Sequence, residues 1–416
     1  MIIWYEKRCS KLFYYSKIFI CLQKKIMTEI NFNNTEVAFA YKTVKELNKA
    51  IFLFKVIEKN SLVKLGKNLT NFALAIHFPI NWAVKPTIYS HFVGAQTMDE
   101  CNPLIEKFSK YNVKVVLDYS VEGGNTEEKI NVALEETLRT IENAAKNPNI
   151  PFAVFKPTAF CYPEVLKKAG RGEKLTEDEL KETEKFKERV HKLFQTAAKL
   201  NVPIMIDAED VAFQNFVDEV VYENMLEFNK EKAIVYNTLQ MYRKDRLQFL
   251  KDLYEKAVKD DIKVGIKFVR GAYMEKEREL AQELGYDDPI HPNKEQTDKA
   301  YNAALKFSVE HIDRISIFNA THNERSAEYL VELMEENGIA KDDPRCYFAQ
   351  LYGMSDHITF NLAKKGFNAA KYTPYGPIKH VLPYLLRRTE ENTSVAGQTP
   401  RELQLLLDEK NRRKRS

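Results

Sequence analysis

The chain has 416 residues, 44% apolar and 29% charged, with only 14 Gly and 15 Pro. Such proportions describe a soluble globular protein with a full core and exclude disordered, collagen-like and integral membrane classes. Sixty-three basic residues against 59 acidic ones leave a net charge of +4, and the two signs are interspersed, which leaves no nucleic-acid footprint.

The first 26 residues stand apart, with Lys7, Arg8, Lys11, Lys17, Lys24 and Lys25 against the single acid Glu6. They are either a mitochondrial transit peptide or a stretch upstream of a true start at Met27. Residues 27–112 are expected to form an N-terminal helical arm. Apolar residues recur there at helical spacing through Val44, Leu47, Ala50, Ile51 and Phe54, then through Leu62, Leu65, Leu69, Phe72 and Leu74.

From residue 113 the pattern changes. Short apolar runs at 113–118, 153–156, 202–207, 233–240, 263–271, 314–321, 345–351 and 367–373 read as strands. Helical stretches follow them at 126–146, 176–200, 211–231, 242–260, 296–312, 323–337, 355–365 and 377–391. This alternation predicts an α/β fold, a (β/α)8 TIM-like barrel over 113–400. Asp118, Lys156, Asp207, Gln240, Arg270, His322, Gln350 and Tyr372 stand at or just past the strand ends. In a barrel those ends share one rim, whereas an open sheet would string them along an edge. No G-x-G-x-x-G follows a strand, which weakens the dinucleotide-fold alternative. Residues 401–416, ending in KNRRKRS, read as a basic tail: either a weak peripheral membrane contact or a solvated end.

Cysteines 9, 21, 101, 161 and 346 form no CxxC pair and show no metal spacing, so neither a disulfide framework nor a metal site is expected. In PIKHVLPYLLRRTEEN (377–392), Tyr384, Arg387 and Arg388 share one side of a helix, and Glu391 is placed to pair with one Arg. Two adjacent guanidinia make either a clamp for a carboxylate or phosphate or a solvated pair with local acids. KFVRGAYMEKE (267–277) ends a strand and opens a helix, and its Gly271 permits close backbone approach to an anion. Asp207 is either an active-site acid or a helix cap, and Lys156 either an active-site ammonium or a rim charge. In ATHN (320–323), either His322 touches a ligand or Asn323 simply caps a helix.

Together, in this order on successive strands, these motifs resemble one family, the proline dehydrogenases, flavoenzymes also called proline oxidases. YLLRRTEEN (384–392), KFVRGAYMEKE and YTPYG (372–376) carry the resemblance most specifically, and it extends to LDYSVEGG (117–124). ELGYDDPIHP (283–292) is similar to the mitochondrial-type and related bacterial branch. The resemblance implies FAD as cofactor and L-proline as substrate, with hydride transfer to flavin N5, pyrroline-5-carboxylate as product and a membrane quinone as electron acceptor. It implies that Arg387 and Arg388 grip the substrate carboxylate, with Lys156 nearby. Tyr273, Leu351, Tyr372 and Tyr384 would pack against the pyrrolidine ring, and Asp207 and Lys267 would serve the catalytic polar network. On the cofactor side, Gln240 and Lys267 would approach the isoalloxazine and Arg270, Gly271 and Ala272 the pyrophosphate. Thr321 and His322 would meet the rest of FAD, and Ala208 also belongs to that side.

Many members have Arg where Lys267 stands, and a Lys there keeps the charge but loses the bidentate fork. No aldehyde dehydrogenase segment is present, so a separate pyrroline-5-carboxylate dehydrogenase is expected to act next. The expected location is cytoplasmic, peripheral to an inner membrane, or mitochondrial if residues 1–26 are a leader. A Schiff-base aldolase using Lys156 or Lys267 and a non-enzymatic anion-binding barrel are the competing readings. The aldolase reading leaves Arg387 and Arg388 unexplained.

Overall fold

The computed structural model describes residues 30–59, 61, 84–120, 126–394 and 398–415. The leader, the helical spacing from Leu62 to Leu74 and part of LDYSVEGG lie outside them. Eight parallel strands form the core: β1 Val113–Tyr119, β2 Ala153–Phe155, β3 Ile204–Ile206, β4 Val235–Gln240, β5 Val264–Val269, β6 Ile315–Ala320, β7 Cys346–Leu351 and β8 Ala369–Tyr375. They pair in the order β1-β8-β7-β6-β5-β4-β3-β2. The remaining seam is bridged by the Val115 N–H to Asn149 O at 2.8 Å and by Lys114 Nζ to Asn149 Oδ1 at 3.2 Å. The sheet is therefore a nearly closed barrel, as the alternation predicts.

The strands are mostly apolar because both faces are covered. Outside, helices such as Glu127–Lys146 and Glu177–Lys199 bury Ile141, Phe186, Leu193 and Phe194 against the strands. Inside, Val116, Phe152, Met205, Tyr236, Phe318 and Tyr372 pack together. Phe152 sits edge-on to Tyr236, Phe318 and Tyr347 at centroid distances of 5.3, 4.9 and 4.9 Å, filling the N-terminal half of the barrel. Gly265 makes this possible, since a Cβ there would lie 2.5 Å from the Tyr236 ring. With one half filled by aromatic rings, the space left for chemistry is at the C-terminal rim.

Helix starts are set by local chemistry. Thr176 with Glu179, and Thr43 with Glu46, form capping boxes, and Thr126, Asn293 and Asn323 cap by side chain. Each such cap contributes about 1 kcal/mol. A short helix not anticipated above, Pro163–Gly170, lies between β2 and Glu177–Lys199 and begins with Pro in its first turn.

The two chain ends meet on the barrel. Helix Val44–Ile57 of the arm packs Leu47, Ala50, Ile51 and Phe54 against Leu403, Leu405 and Leu406. Those leucines belong to helix Gln398–Arg415, so the stretch read as a basic tail is helical and docked. Arg412 and Arg413 pair with Glu409, and Arg413 also donates to the carbonyls of Lys42 and Phe39 at 2.8 Å. A buried ionic knot fastens the arm to the rim. Lys371 of β8 pairs with Asp356 at 2.8 Å, and Asp356 also takes Tyr41 Oη at 2.7 Å and Lys42 at 3.3 Å. Burial opposes ionisation of Asp356, but the two lysines prevail and hold it well below the usual carboxylate range.

Candidate active site

The C-terminal strand ends surround a cavity of about 560 Å³, lined by the candidate catalytic, substrate and cofactor residues named above. Lys156, Asp207 and Ala208 come from the ends of β2 and β3, Gln240 from β4, and Lys267 and the Arg270–Tyr273 loop from β5. Thr321 and His322 follow β6, Leu351 ends β7, and Tyr372 stands on β8. Tyr384, Arg387 and Arg388 reach in from helix Ile378–Ser394.

At the β8–β1–β2–β3 side a compact charged network forms. Asp207 Oδ1 accepts from Lys267 at 2.6 Å, while Oδ2 accepts from Tyr372 Oη at 2.7 Å and from Lys156 at 3.3 Å. Lys156 also donates to Asp118 at 2.8 Å, and Lys267 stands 4.2 Å above the Tyr372 ring. Burial would raise the Asp207 carboxyl, but Lys267, Lys156 and the Tyr372 hydroxyl outweigh it and hold it at about 2. Burial, then Asp118 and Asp207, push the Tyr372 phenol far up, so it remains a hydrogen-bond donor. Asp207 is thus the hub of the network and not a helix cap: the cap position before Val211 belongs to Asp210.

Two guanidinia complete this side. Arg388 is buried, lies 5.6 Å from the Tyr384 ring centroid and touches Met354 Sδ at 3.9 Å. Arg387 lies 6.0 Å from the Tyr273 ring. Glu391, the expected partner, has its side chain outside the described residues.

Apart from Lys267 of β5, the β4–β7 side is built mainly from neutral groups and from cations already paired with acids, Arg270 at their centre. Arg270 donates to Asp298, Thr321 and Ser326 at 2.8, 2.6 and 2.9 Å, with Tyr301 beneath it at 4.3 Å. Gln350 bridges the Thr321 carbonyl and Thr359. Gln240 Nε2 donates to the Glu209 carbonyl, while its buried Oε1 has no hydrogen-bond partner among the described residues. His322 Nδ1 and Ser355 Oγ share a hydrogen bond at 2.9 Å, and burial with Arg388 and Lys371 nearby keeps the imidazole neutral. Asn323 caps the next helix, and His322 lines the cavity. Gly271 has φ 123° and presses on the Tyr242 ring, so the positive φ and that contact together demand glycine.

Some wall residues carry no sequence signal as site residues. Met354, Ser355, Glu324, Arg401 and Glu402 line the cavity but lie in a loop or in helices that look like ordinary surface. Among the described residues no cluster of His, Cys, Asp and Glu could hold a metal ion. No described helix is long and apolar enough to cross a membrane.

A (β/α)8 barrel with a charged cavity at its C-terminal rim defines the class, and likeness to known proteins defines the family. Residues 101–401 match the family described as Proline dehydrogenase. The chain is 38% identical over 328 residues to the carbapenem antibiotics biosynthesis protein CarD of Pectobacterium carotovorum, covering 78% of this chain and 84% of that one. It is 32% identical over 410 residues to the mitochondrial proline dehydrogenase 1 of Dictyostelium discoideum, covering 88% and 72%. The crystal structure of proline utilization A from Bdellovibrio bacteriovorus, inactivated by N-propargylglycine, matches with TM-score 0.69 at 22% identity. That match covers 91% of this chain and 40% of the other, and it speaks for the fold. The chain belongs to the proline dehydrogenase family.

Proposed function

We propose that this chain oxidises L-proline to pyrroline-5-carboxylate with FAD as cofactor and a quinone as final acceptor. The carrying observation is the Asp207–Lys156–Lys267–Tyr372 network beside Arg387 and Arg388 on one cavity wall. When bound, the flavin would supply the hydride acceptor at N5 that no side chain can provide.

Family membership and the donor set support the cofactor. Gln240 Oε1 is a buried acceptor without a partner among the described residues, suited to a ring N–H, and Arg270, Lys294 and Arg325, each also paired with an acid, offer N–H donors for a pyrophosphate at the β5–β6 end of the wall. Ala208 and Lys267 would flank the ring, Gly271 and Ala272 the phosphates, and Thr321 and His322 the remainder.

Arg387 and Arg388 bind the substrate carboxylate, with Lys156 behind, because forked guanidinia match a planar oxyanion. Tyr273, Leu351, Tyr372 and Tyr384 enclose the apolar ring and exclude water. Asp207, ionised at any working pH, compensates Lys156 and Lys267, so these cations are fixed in place without leaving the buried site overcharged. The surplus positive charge favours loss of the amine proton, which hydride donation requires. Quinone chemistry places the acceptor at a bilayer, and with no spanning helix among the described residues that contact would be peripheral.

Purified protein should be yellow, and anaerobic L-proline should bleach its flavin band while a cyclic imine accumulates. A colourless protein that takes up no added FAD would overturn the proposal.

A further inference from the structure

Helix Gln398–Arg415 reaches the cavity through two consecutive side chains. Glu402 is 3% exposed and accepts the Ser355 N–H. Ser355 is a non-glycine residue in the left-handed region, φ 49° and ψ 43°, at the start of helix Asp356–Lys364. Its hydroxyl makes no cap bond there and turns instead to His322. Arg401 donates to Glu324 at 2.9 Å, and Glu324 in turn meets His357 Nε2 at 3.0 Å. Arg401 also donates to Asn33 of the arm at 2.7 Å. One helix turn therefore grips the loop after β6 and the loop after β7 together.

We propose that Arg401 and Glu402 are positioning residues that hold the cofactor end of the cavity in its binding geometry. Glu402 acts through Ser355 on His322, and Arg401 through Glu324. Neither residue needs to touch the substrate. A left-handed serine is strained, so it persists only while its surroundings fix it. The buried acceptor supplied by Glu402 is such a restraint. The leucine face of the same helix, packed on Phe39, Leu47 and Phe54, keeps that acceptor in place. The end of the chain thereby becomes a wall of the site.

This inference rests on the FAD reading, and the test separates the two. FAD is titrated into deflavinated full-length protein, following quenching of flavin fluorescence, for the unmutated chain, Glu402→Ala, Glu402→Gln and Arg401→Met. The proline KM is measured at saturating FAD. Glu402→Ala should weaken FAD binding roughly tenfold, the factor expected when a buried N–H loses its acceptor. Glu402→Gln, which keeps a carbonyl oxygen for Ser355, should recover most of that loss. Arg401→Met, at a partly exposed position that should still fold, should weaken binding several-fold. Proline KM should move less than twofold. Equal FAD affinity in Glu402→Ala and Arg401→Met with normal binding by the unmutated chain would overturn this inference alone. An unmutated chain that binds no FAD would remove both. If Glu402→Ala fails to fold, the Arg401→Met and Glu402→Gln titrations still decide.

Discussion

The two ends of the cavity hold their side chains by different physics. At the β8–β1–β2–β3 end, which Lys267 of β5 joins from across the barrel, two lysines face two aspartates inside a few ångströms, with Lys156 spanning Asp118 and Asp207. Each charge there depends on the others, since a buried ion without its partner is costly. At the β4–β7 end the groups are mostly amides, hydroxyls and a neutral imidazole, and the one central guanidinium has each of its nitrogens committed. The first arrangement suits a small anionic substrate that must be oriented sharply. The second suits a large ligand held by many modest contacts, where losing one costs little. Substitutions at the first end should therefore change catalysis steeply, and those at the second should mainly change cofactor retention.

The steepest effect is expected from Arg388→Met or Arg387→Met. Hydrogen bonds to charged groups contribute roughly 1.5–3 kcal/mol, so kcat/KM for proline should fall about ten- to a hundred-fold or more. FAD content should barely change. Loss of flavin from Arg388→Met with normal proline kinetics in the remaining holoenzyme would exchange the roles of the two ends.

Asp207→Asn should follow. It leaves Lys267, which is almost fully buried, without its anionic partner. Breaking such a pair costs about 3 kcal/mol or more in unfolding free energy, measurable by chemical denaturation. The pH dependence has a definite sign. A carboxyl held at about 2 when folded, against about 3.9 when unfolded, contributes stability that is full above pH ~4. That contribution is lost as pH falls toward 2, and Asp207→Asn should lack this acid-side loss. An acid limb identical to that of the unmutated chain would show that the charged network does not behave as a unit.

The barrel, its rim and the arm helix Val44–Ile57 were legible in the sequence, whereas the C-terminal helix docked on that arm was not. Parallel strands buried on both faces leave largely apolar runs with polar residues at or near their C-terminal ends, so Asp118, Lys156 and Asp207 were visible one strand at a time. Helix Gln398–Arg415 hides among charges. Its apolar face is only Leu403, Leu405, Leu406 and Leu407, and Arg412 and Arg413 look solvated until Glu409 and the arm's carbonyls are placed beside them. The i,i+4 pair Glu409–Arg413 and the Leu403–Leu406–Leu407 spacing were the available signals. Glu402 had none, because its partner Ser355 is 47 residues away in sequence.

At the other end, Arg270→Ala should lower FAD affinity by roughly tenfold, since Thr321 and Ser326 lose a shared donor. Proline KM at saturating FAD should be nearly unchanged. A large rise in KM without loss of flavin would mean that Arg270 serves the charged end.

The smallest effect sharpens the comparison most, because Tyr372 belongs to the charged end by its hydroxyl and to the apolar wall by its ring. Tyr372→Phe removes only the 2.7 Å bond to Asp207, a neutral donor on an already compensated carboxylate, and should cost a few-fold in kcat/KM. Tyr372→Ser removes the ring as well. A ring packed on unsubstituted pyrrolidine leaves no room for a hydroxyl, so the unmutated chain should strongly prefer L-proline to trans-4-hydroxy-L-proline. Steric exclusion of this kind can exceed the ~1–3 kcal/mol that one methylene in an apolar pocket supplies. Tyr372→Ser should relax the preference, mainly by raising the proline KM, while Tyr372→Phe keeps it. The steady-state ratio of kcat/KM for the two amino acids reads this out in all three proteins. Comparable values in the unmutated chain would refute this role for Tyr372, and relaxation by Tyr372→Phe would assign selectivity to the Asp207 hydrogen bond and not to the volume of the ring.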